Sequence, residues 1–361
     1  SFTIDCSTTS VELATNAQMY ETTSYDVIKI PYQYIPAFGA TISNSTISQD
    51  DLWADTPTNI GFPFCFYDDT KTDILLGANS IITFEWDSNT STFTPTPGDG
   101  SGFQIDTNLP SLGTGTGTFR NAIYEQAIYG VYHDINPTGL PASSITTRTQ
   151  GVVGCRKFIA EWKDIPMFSD ATRLYSGMIV LYETTNIIEV YIEEKRIDNN
   201  NISPWNDGNA IVGIQGDYVG PATNPANEYA VAPCRNGLDS NWEVTNEAWR
   251  FVPNGASRLT GVEWYIGTNT SGAPDATTNT YTATTAGTYT AISTYAKCDG
   301  STVTLTDEVV ITGGSKTWNG SVDNNWYIPN NWTPTGVPNS SDCVVVPATA
   351  VSNGNAPIAD I

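Results

Sequence analysis

Basic residues, and charged residues in general, are scarce in this chain of 361 residues. Only 15 residues are Lys or Arg against 38 Asp or Glu, which gives a formal net charge of −23, and charged residues make up 15% of the chain, below the usual share of about a quarter. Nucleic-acid binding needs Lys and Arg to meet the phosphate charge, so the composition argues against it. The acidic excess favours a soluble, self-repelling exterior protein that attracts cations.

Long apolar and helical segments are also missing. No run approaches the roughly 18 apolar residues of a membrane span, so membrane insertion is not expected. No long segment shows the 3.6-residue period of a helix, so helices should be few and short. The chain opens with SFTIDC, which has neither a Met nor an apolar signal segment. A removed secretion signal would explain that opening, and so would a cut in a longer chain.

Histidine occurs once, at His133 in YGVYHDINPTG. Strand alternation would put His133 and Asp134 on opposite faces, which spoils a direct catalytic dyad. The chain also lacks a G-x-S-x-G elbow that would supply a nucleophile. We therefore expect His133 to be a strand-end residue with a partly exposed ring, and we expect no catalytic residue in this chain.

The six cysteines lie far apart, and none forms a C-x-x-C pair, so zinc-ribbon and thioredoxin-like sites have no support. They are Cys6, Cys65, Cys155, Cys234, Cys298 and Cys343. An even number in such a chain favours an oxidising exterior with some disulfides. Six cysteines allow 15 pairings, which the spacing does not decide between, and buried free thiols are the alternative.

Aromatic and turn-forming residues are abundant, with 18 Tyr, 10 Trp, 30 Gly and 21 Pro among many Thr, Ser and Asn. This composition predicts an all-β fold. The segment 157–166 alternates apolar and polar residues, and 177–197 predicts a hairpin that turns at residues 184–186. In that hairpin Ile188, Val190 and Ile192 should face the core, while Glu189, Tyr191 and Glu193 face water. Antiparallel sheets with one wet face predict a β-sandwich.

The residue composition and strand pattern change twice along the sequence, which predicts three modules. Residues 1–255 form a large β-sandwich module. Residues 256–313 have about the length of an immunoglobulin-like sandwich, in which Tyr289 should hydrogen-bond back to an upstream loop. Residues 314–361 hold three Trp but about one strand, too little to bury them alone. We expect this segment to start a further β-rich module that is incomplete here.

Two acidic loops are candidate calcium sites. Asp134 and Asn136 lie in DINP at a strand end, and Asp50 and Asp51 lie in SQDDLWAD. Carboxylate and amide oxygens suit calcium, although neither loop has EF-hand spacing. Solvated turn residues are the alternative for both loops.

A loop at 199–209 resembles a ligand site most closely. It places Trp205 among hydrogen-bonding side chains, including Asn206 and Asp207, and Tyr218 follows it. The aromatic rings could stack on sugars, or Trp205 could simply anchor the loop. Carboxylate pairs such as Glu183/Glu189 or Glu193/Glu194 could suggest a glycosidase. They are predicted on a wet sheet face, however, where acidic residues are ordinary.

Several stretches together resemble a known family. Residues 59–86, 121–137, 155–168, 177–195 and 245–255 resemble the N-terminal module of very large secreted Bacteroidota proteins of the gliding-motility-associated or adhesin-like type. Residues 256–313 are similar to the PKD and immunoglobulin-like repeats of such proteins, and 314–361 resembles the start of a solenoid-like β-module. The resemblance implies type IX secretion, display on the cell surface, and adhesion or gliding by a multi-domain fibre.

The leading hypothesis is therefore a non-enzymatic cell-surface adhesin, of which this chain is the exposed N-terminal part and an extracellular surface or glycan is the partner. One alternative is a carbohydrate-binding front end of a secreted polysaccharide-degrading enzyme. Another is a subunit of an extracellular filament that self-associates through the β-segment at 314–361, because an open strand edge can pair with a neighbouring chain.

Overall fold

A computed structural model describes residues 2–4, 8–16, 19–47, 49–87, 94–105, 107–113, 123–197, 208–239, 241–340, 342–352 and 356–357. Nearly all the regular structure in these ranges is β, which confirms the predicted all-β class. The strands, numbered along the chain, are β1 Phe2–Ile4, β2 Val11–Ala14, β3 Tyr25–Pro31, β4 Ser43–Asn44, β5 Thr58–Phe66, β6 Asp69–Gly77, β7 Ile81–Thr83, β8 Ala127–Tyr132, β9 Ile145–Gln150, β10 Lys157–Met167, β11 Asp170–Tyr182, β12 Ile188–Lys195, β13 Ile211–Gln215, β14 Tyr229–Val231, β15 Val244–Pro253, β16 Leu259–Ile266, β17 Thr280–Ala283, β18 Gly287–Ala296, β19 Thr302–Trp318, β20 Trp332–Thr333 and β21 Asp342–Val345. One short helix, α1, spans Ala348–Ser352, and 3-10 turns lie at Ala142–Ser144, Gly237–Asp239 and Pro329–Asn331.

The chain divides into two compact units. The larger unit comprises Gln18–Arg258 with Lys297–Ser301, and the smaller comprises Ser1–Ala17, Leu259–Ala296 and Thr302–Ile361. This division differs from the three predicted modules at both ends. The short strands β1 and β2 pair with β19 and β17 of the smaller unit, and β19 continues through Gly313 and Gly314 to pair with β20 and β21. Strands this short carry little sequence signal, because three or four residues show too few alternations.

The larger unit contains two antiparallel sheets. A seven-stranded sheet has the order β3-β15-β12-β11-β10-β9-β4, and a six-stranded sheet has the order β14-β13-β8-β7-β6-β5. Their facing side chains form one buried cluster, to which Phe158, Ala160 and Trp162 of β10 and Ile188, Val190 and Ile192 of β12 contribute. The predicted sandwich and the inward face of the 177–197 hairpin are confirmed.

The outer face of the seven-stranded sheet is less exposed to solvent than the alternation of apolar and polar residues predicts. Glu189 is fully buried and Tyr191 is 6% exposed. The Glu189 carboxylate accepts hydrogen bonds from the Tyr182 hydroxyl, from the Tyr191 hydroxyl at 2.6 Å and from Arg250 Nε at 2.6 Å. The prediction that Glu189 and Tyr191 face water is therefore wrong. The physical reason is a second apolar cluster on this face, which includes Ile159, Met178, Val180, Tyr191 and Ala248 and is partly covered by Ile30, Tyr32 and Ile35.

The smaller unit is built around β19. A sheet with the order β1-β19-β18-β16 contains its longest strands, and β17 pairs with β2. The Tyr289 hydroxyl donates to the Thr285 carbonyl oxygen at 2.7 Å, which confirms the predicted bond to an upstream loop. Trp318, Trp326 and Trp332 pack edge to face, with Trp332 contacting both others at centroid distances of 4.9 and 4.7 Å. These tryptophans therefore contribute much of each other's packing surface.

Disulfides are present, as the cysteine count suggested. Cys65 on β5 is bonded to Cys298 within the larger unit, and Cys343 is also disulfide-bonded. Among the described residues, Cys155 and Cys234 are free and exposed. In the same part of the chain, no helix is long and apolar enough to cross a membrane.

The Cys65–Cys298 bond should contribute measurably to stability. It joins residues 233 positions apart, and a crosslink that closes a long loop restricts the unfolded chain most. We expect the double variant Cys65→Ala/Cys298→Ala to lose about 2–4 kcal/mol of unfolding free energy in urea titrations. The control Cys155→Ala/Cys234→Ala, with exposed thiols, should change by less than about 0.5 kcal/mol. Equal midpoints for the two double variants would contradict this prediction.

Candidate metal centre

Three carboxylates from distant parts of the sequence meet in the larger unit. Oxygen atoms of Asp50, Asp51 and Asp134 all lie within 4.8 Å of one another. Asp50 and Asp51 precede β5, and Asp134 follows the end of β8. The structure thus brings the two predicted acidic loops together in a single cluster, where the sequence offered two separate candidates.

The position of Asp51 follows from the packing of its neighbour Trp53 against β6. Trp53 forms an isolated bridge with Gly77, and a Cβ atom at Gly77 would lie 3.1 Å from the Trp53 ring. Glycine at position 77 therefore allows the close approach. Asp51 itself adopts φ +51°, and its carbonyl oxygen accepts the Ser101 N–H at 2.6 Å. These contacts hold the Asp51 backbone against the sandwich.

Asn79 connects the segments that form the cluster. It lies in the β6–β7 turn and is fully buried. Its amide nitrogen donates to Asp51 Oδ1 at 2.8 Å and to the Gly102 carbonyl at 2.8 Å, while its amide oxygen accepts the Ile135 N–H at 3.0 Å. One side chain therefore fixes three chain segments, including the one that contains Asp134. Asn79 was not among the predicted site residues.

Asn136, predicted as a ligand, uses its side-chain oxygen in a hydrogen bond within its own loop. Its amide oxygen accepts the Thr138 N–H at 2.8 Å, and Thr138 Oγ1 accepts the Asp50 N–H at 3.0 Å. The side chain of Asn136 thus closes an Asx turn, which is the kind of turn role given as the alternative to a metal ligand. Its contribution to the cluster is to orient Thr138 against Asp50.

Burial shapes the electrostatics of the cluster. Burial, with the adjacent Asp51 charge as a second cause, raises the pKa of Asp50 to about 7. Burial raises the pKa of Asp51 to about 6, and the hydrogen bond from Asn79 opposes that rise. Close carboxylates removed from water resist ionisation unless a positive charge compensates them. Chemically, a set of carboxylate oxygens suits a hard cation.

Two residues next to this cluster carry buried hydroxyls that the sequence analysis did not select. Ser101 and Tyr132 are both fully buried, and neither hydroxyl oxygen has a hydrogen-bond partner among the described residues. The Ser101 backbone is bonded to Asp51, and the charges of Asp51 and Asp134 act on the Tyr132 hydroxyl. Nothing in the local sequence distinguishes these two residues from ordinary loop and strand residues.

His133 is buried, so the expectation of a partly exposed ring is wrong. Its ring packs edge to face on Tyr175 at 4.8 Å, and Nδ1 lies 2.6 Å from the Val131 carbonyl oxygen. Burial, assisted by the charge of Lys195, lowers the pKa of His133 to about 3. The ring is therefore neutral at pH 7, with Nδ1–H donating to the carbonyl.

The remaining candidate sites are only partly described. Trp205, Asn206 and Asp207 lie outside the described residues, so the sugar-binding loop stays a prediction. Tyr218 is half-buried, and its backbone N–H donates to Glu125 Oε1 at 2.7 Å. Glu183, from one of the carboxylate pairs, is bound by Arg156 at 2.6 Å.

Because His133 is buried and neutral, we expect the free energy of unfolding to fall as the pH is lowered. An unfolded chain binds a proton on His133 near its ordinary pKa of 6.5, whereas the folded chain does so only near 3. The stability that depends on neutral His133 is therefore present above pH 6.5 and is lost as the pH falls toward 3. We expect His133→Gln to show a shallower loss of unfolding free energy between pH 7 and 5 than the wild type. Parallel profiles would count against this reading.

Replacing the buried Asn79 should lower the stability of the fold much more than replacing an exposed asparagine. Asn79→Ala leaves buried partners unsatisfied and should cost about 2–4 kcal/mol. Asn59, an exposed residue, also makes three hydrogen bonds, to Thr72, Asp73 and Gly61. Asn59→Ala should cost less than about 1 kcal/mol, because water replaces those partners. Similar costs for the two variants in urea unfolding would refute the role assigned to burial.

Comparison with known proteins gives one match. No curated protein and no solved structure matches the chain. A family model described as NIDO related matches residues 24–253, which run from just before β3 to the end of β15 and so take in both sheets of the larger unit. Because this match covers more than half of the sequence, the chain belongs to the NIDO-related family.

Proposed function

We propose that this chain is part of an exported, non-enzymatic cell-surface protein of the adhesin type, which acts in surface adhesion or gliding. The observation that carries the proposal is the Cys65–Cys298 disulfide, together with the bonded state of Cys343. Disulfides persist in oxidising exterior compartments and are rare in reducing ones. The net charge of −23 supports a solvated exterior protein as well.

The environment of His133, the one histidine in the chain, is consistent with a protein that binds without catalysing a reaction. His133 is buried, neutral and hydrogen-bonded to a backbone carbonyl within its own strand region. A general base needs access to substrate and a pKa near the working pH. His133 meets neither condition, which is consistent with the proposed non-enzymatic role.

An apolar patch next to the β9–β10 turn is the contact surface that we propose for adhesion. Val152 and Val153 in this turn are 73% and 82% exposed, and Phe38 is 76% exposed. Gln150 joins the two segments, since its Oε1 accepts the Phe38 N–H at 3.4 Å and its Nε2 donates to the Pro36 carbonyl at 3.2 Å. Exposed apolar clusters commonly mark contact sites. We propose that this patch adsorbs to hydrophobic solid surfaces.

The free cysteines allow surface display to be tested on intact cells of the producing organism. Cys155 and Cys234 are exposed thiols, so a membrane-impermeant maleimide should label the wild-type chain without a reductant. Cys155→Ala/Cys234→Ala is the matched control and should remain unlabelled. Labelling that appears only after cell lysis would contradict surface display.

Adhesion is tested separately by attachment to polystyrene and by spreading of the same cells. We expect deletion of residues 24–253 to abolish attachment, and Phe38→Ser/Val152→Ser/Val153→Ser to reduce it several-fold. Ile266→Ser changes a residue of the smaller unit that is 54% exposed, and it should leave attachment unchanged. Unchanged attachment in the deletion strain would refute the adhesin proposal. Binding on a glycan array would then favour the carbohydrate-binding alternative, and concentration-dependent assembly in sedimentation would favour the filament.

A further inference from the structure

We propose that the larger unit binds one calcium ion through the carboxylates of Asp50, Asp51 and Asp134. Neither the family match nor the proposed adhesive function assigns such a site, and the proposal stands independently of both. It begins from proximity, since ligand oxygens of all three residues lie within 4.8 Å of one another. A single cation placed among them could contact all three carboxylates.

The Asp50 carboxylate has an unmet need for a positive partner. Asp50 Oδ1 is shielded from solvent and has no hydrogen-bond partner among the described residues, and the Asp51 backbone N–H is the one donor that acts on the Asp50 carboxylate there. A carboxylate oxygen deprived of both water and donors is costly. The Asp51 carboxylate in the same cluster accepts a hydrogen bond from Asn79 at Oδ1. Its second oxygen is available to bind a metal.

Buried hydroxyls provide evidence that is independent of the carboxylates. Ser101 and Tyr132 are fully buried, and their hydroxyl oxygens have no partner among the described residues. Buried polar atoms are nearly always hydrogen-bonded, so such hydroxyls require an explanation. Ser101 is tied to the cluster by the bond from its backbone N–H to the Asp51 carbonyl oxygen, and Tyr132 lies at the end of β8, two residues before Asp134. A hydrated cation at the carboxylates would supply the missing partners, either directly or through its water.

The chemistry of the surrounding atoms selects calcium. All candidate ligands are oxygens, which suit calcium and magnesium and disfavour zinc or copper. The nearby His133 directs Nδ1 to the Val131 carbonyl. Calcium accepts six to eight oxygens in irregular geometry, whereas magnesium demands a near-ideal octahedron. Ligands from separate segments, held by Asn79 and Thr138, fit the less regular ion better.

A bound calcium ion would join the segment before β5 to the segment after β8. These segments are linked already through Asn79 and through the bond from the Asp50 N–H to Thr138. The ion would also neutralise the repulsion between three carboxylates. Calcium should therefore raise the melting temperature of the larger unit, because it binds only the folded chain.

The experiment uses the full chain, first stripped with EDTA and dialysed. Calcium chloride is titrated to about 10 mM, which spans the affinities of extracellular calcium modules, and heat release and melting temperature are recorded. We expect a stoichiometry of one and a rise of about 5–10 °C once calcium exceeds its Kd by about 100-fold. Asp50→Asn and Asp134→Asn should weaken binding at least tenfold. Asp69→Asn, at a carboxylate that is 68% exposed, is the control and should bind like the wild type.

Terbium chloride provides a second readout in the wild type. Terbium replaces calcium at oxygen sites, and its emission sensitised by ultraviolet excitation of the aromatic residues should appear with one equivalent and disappear on addition of calcium. If Asp134→Asn fails to fold, as judged by near-ultraviolet circular dichroism, the half-buried Asp50→Asn carries the test alone. Absence of calcium binding, or wild-type affinity in Asp50→Asn, would overturn the site. Equal affinity for magnesium chloride would overturn the choice of calcium.

Discussion

The burial of apolar side chains between the two sheets of the larger unit is the constraint on which its other features depend. At Gly130 the sheets come so close that a Cβ atom would lie 2.8 Å from Ile179 on the opposite sheet and 2.9 Å from Ser80. This contact sets β8 against β11, and the Gly130 N–H bonds the Ser80 carbonyl at 2.9 Å. The β6–β7 turn and the end of β8 are thereby held side by side. Asn79 and Asp134 lie in these two places.

Buried polar groups in the larger unit fall into two classes. Some have full sets of partners, such as Asn79 with its three hydrogen bonds and Glu189 with Tyr182, Tyr191 and Arg250. Such groups order the core without requiring anything further. Others have no hydrogen-bond partner among the described residues, and they include the carboxylate oxygen of Asp50 and the hydroxyls of Ser101 and Tyr132. These three residues lie in the acidic cluster or next to it, through the backbone bond of Ser101 to Asp51 and the position of Tyr132 two residues before Asp134, and this is why a cation is proposed there.

The family match and the structure agree on the extent of the larger unit. The NIDO-related match at residues 24–253 lies within Gln18–Arg258 and includes every strand of both its sheets. Outside it, the strands from Leu259 onward form sheets with the short strands at the start of the chain. The Cys65–Cys298 bond adds a covalent tie to β5 of the sandwich. These features describe a disulfide-bonded β-protein.

The sequence by itself determined the all-β class, the sandwich, and the hairpin at 177–197, because alternation with a period of two is a local property of each strand. It also identified Asp50, Asp51 and Asp134 as carboxylates in tight loops. Only the tertiary structure decided that these three residues meet, since a contact between residue 51 and residue 134 depends on how the sheets pack and on no local pattern. For the same reason alternation assigned Glu189 to the outer face correctly but could not indicate that an apolar layer covers that face. Burial is a property of what packs against a strand, and that information lies in other parts of the chain.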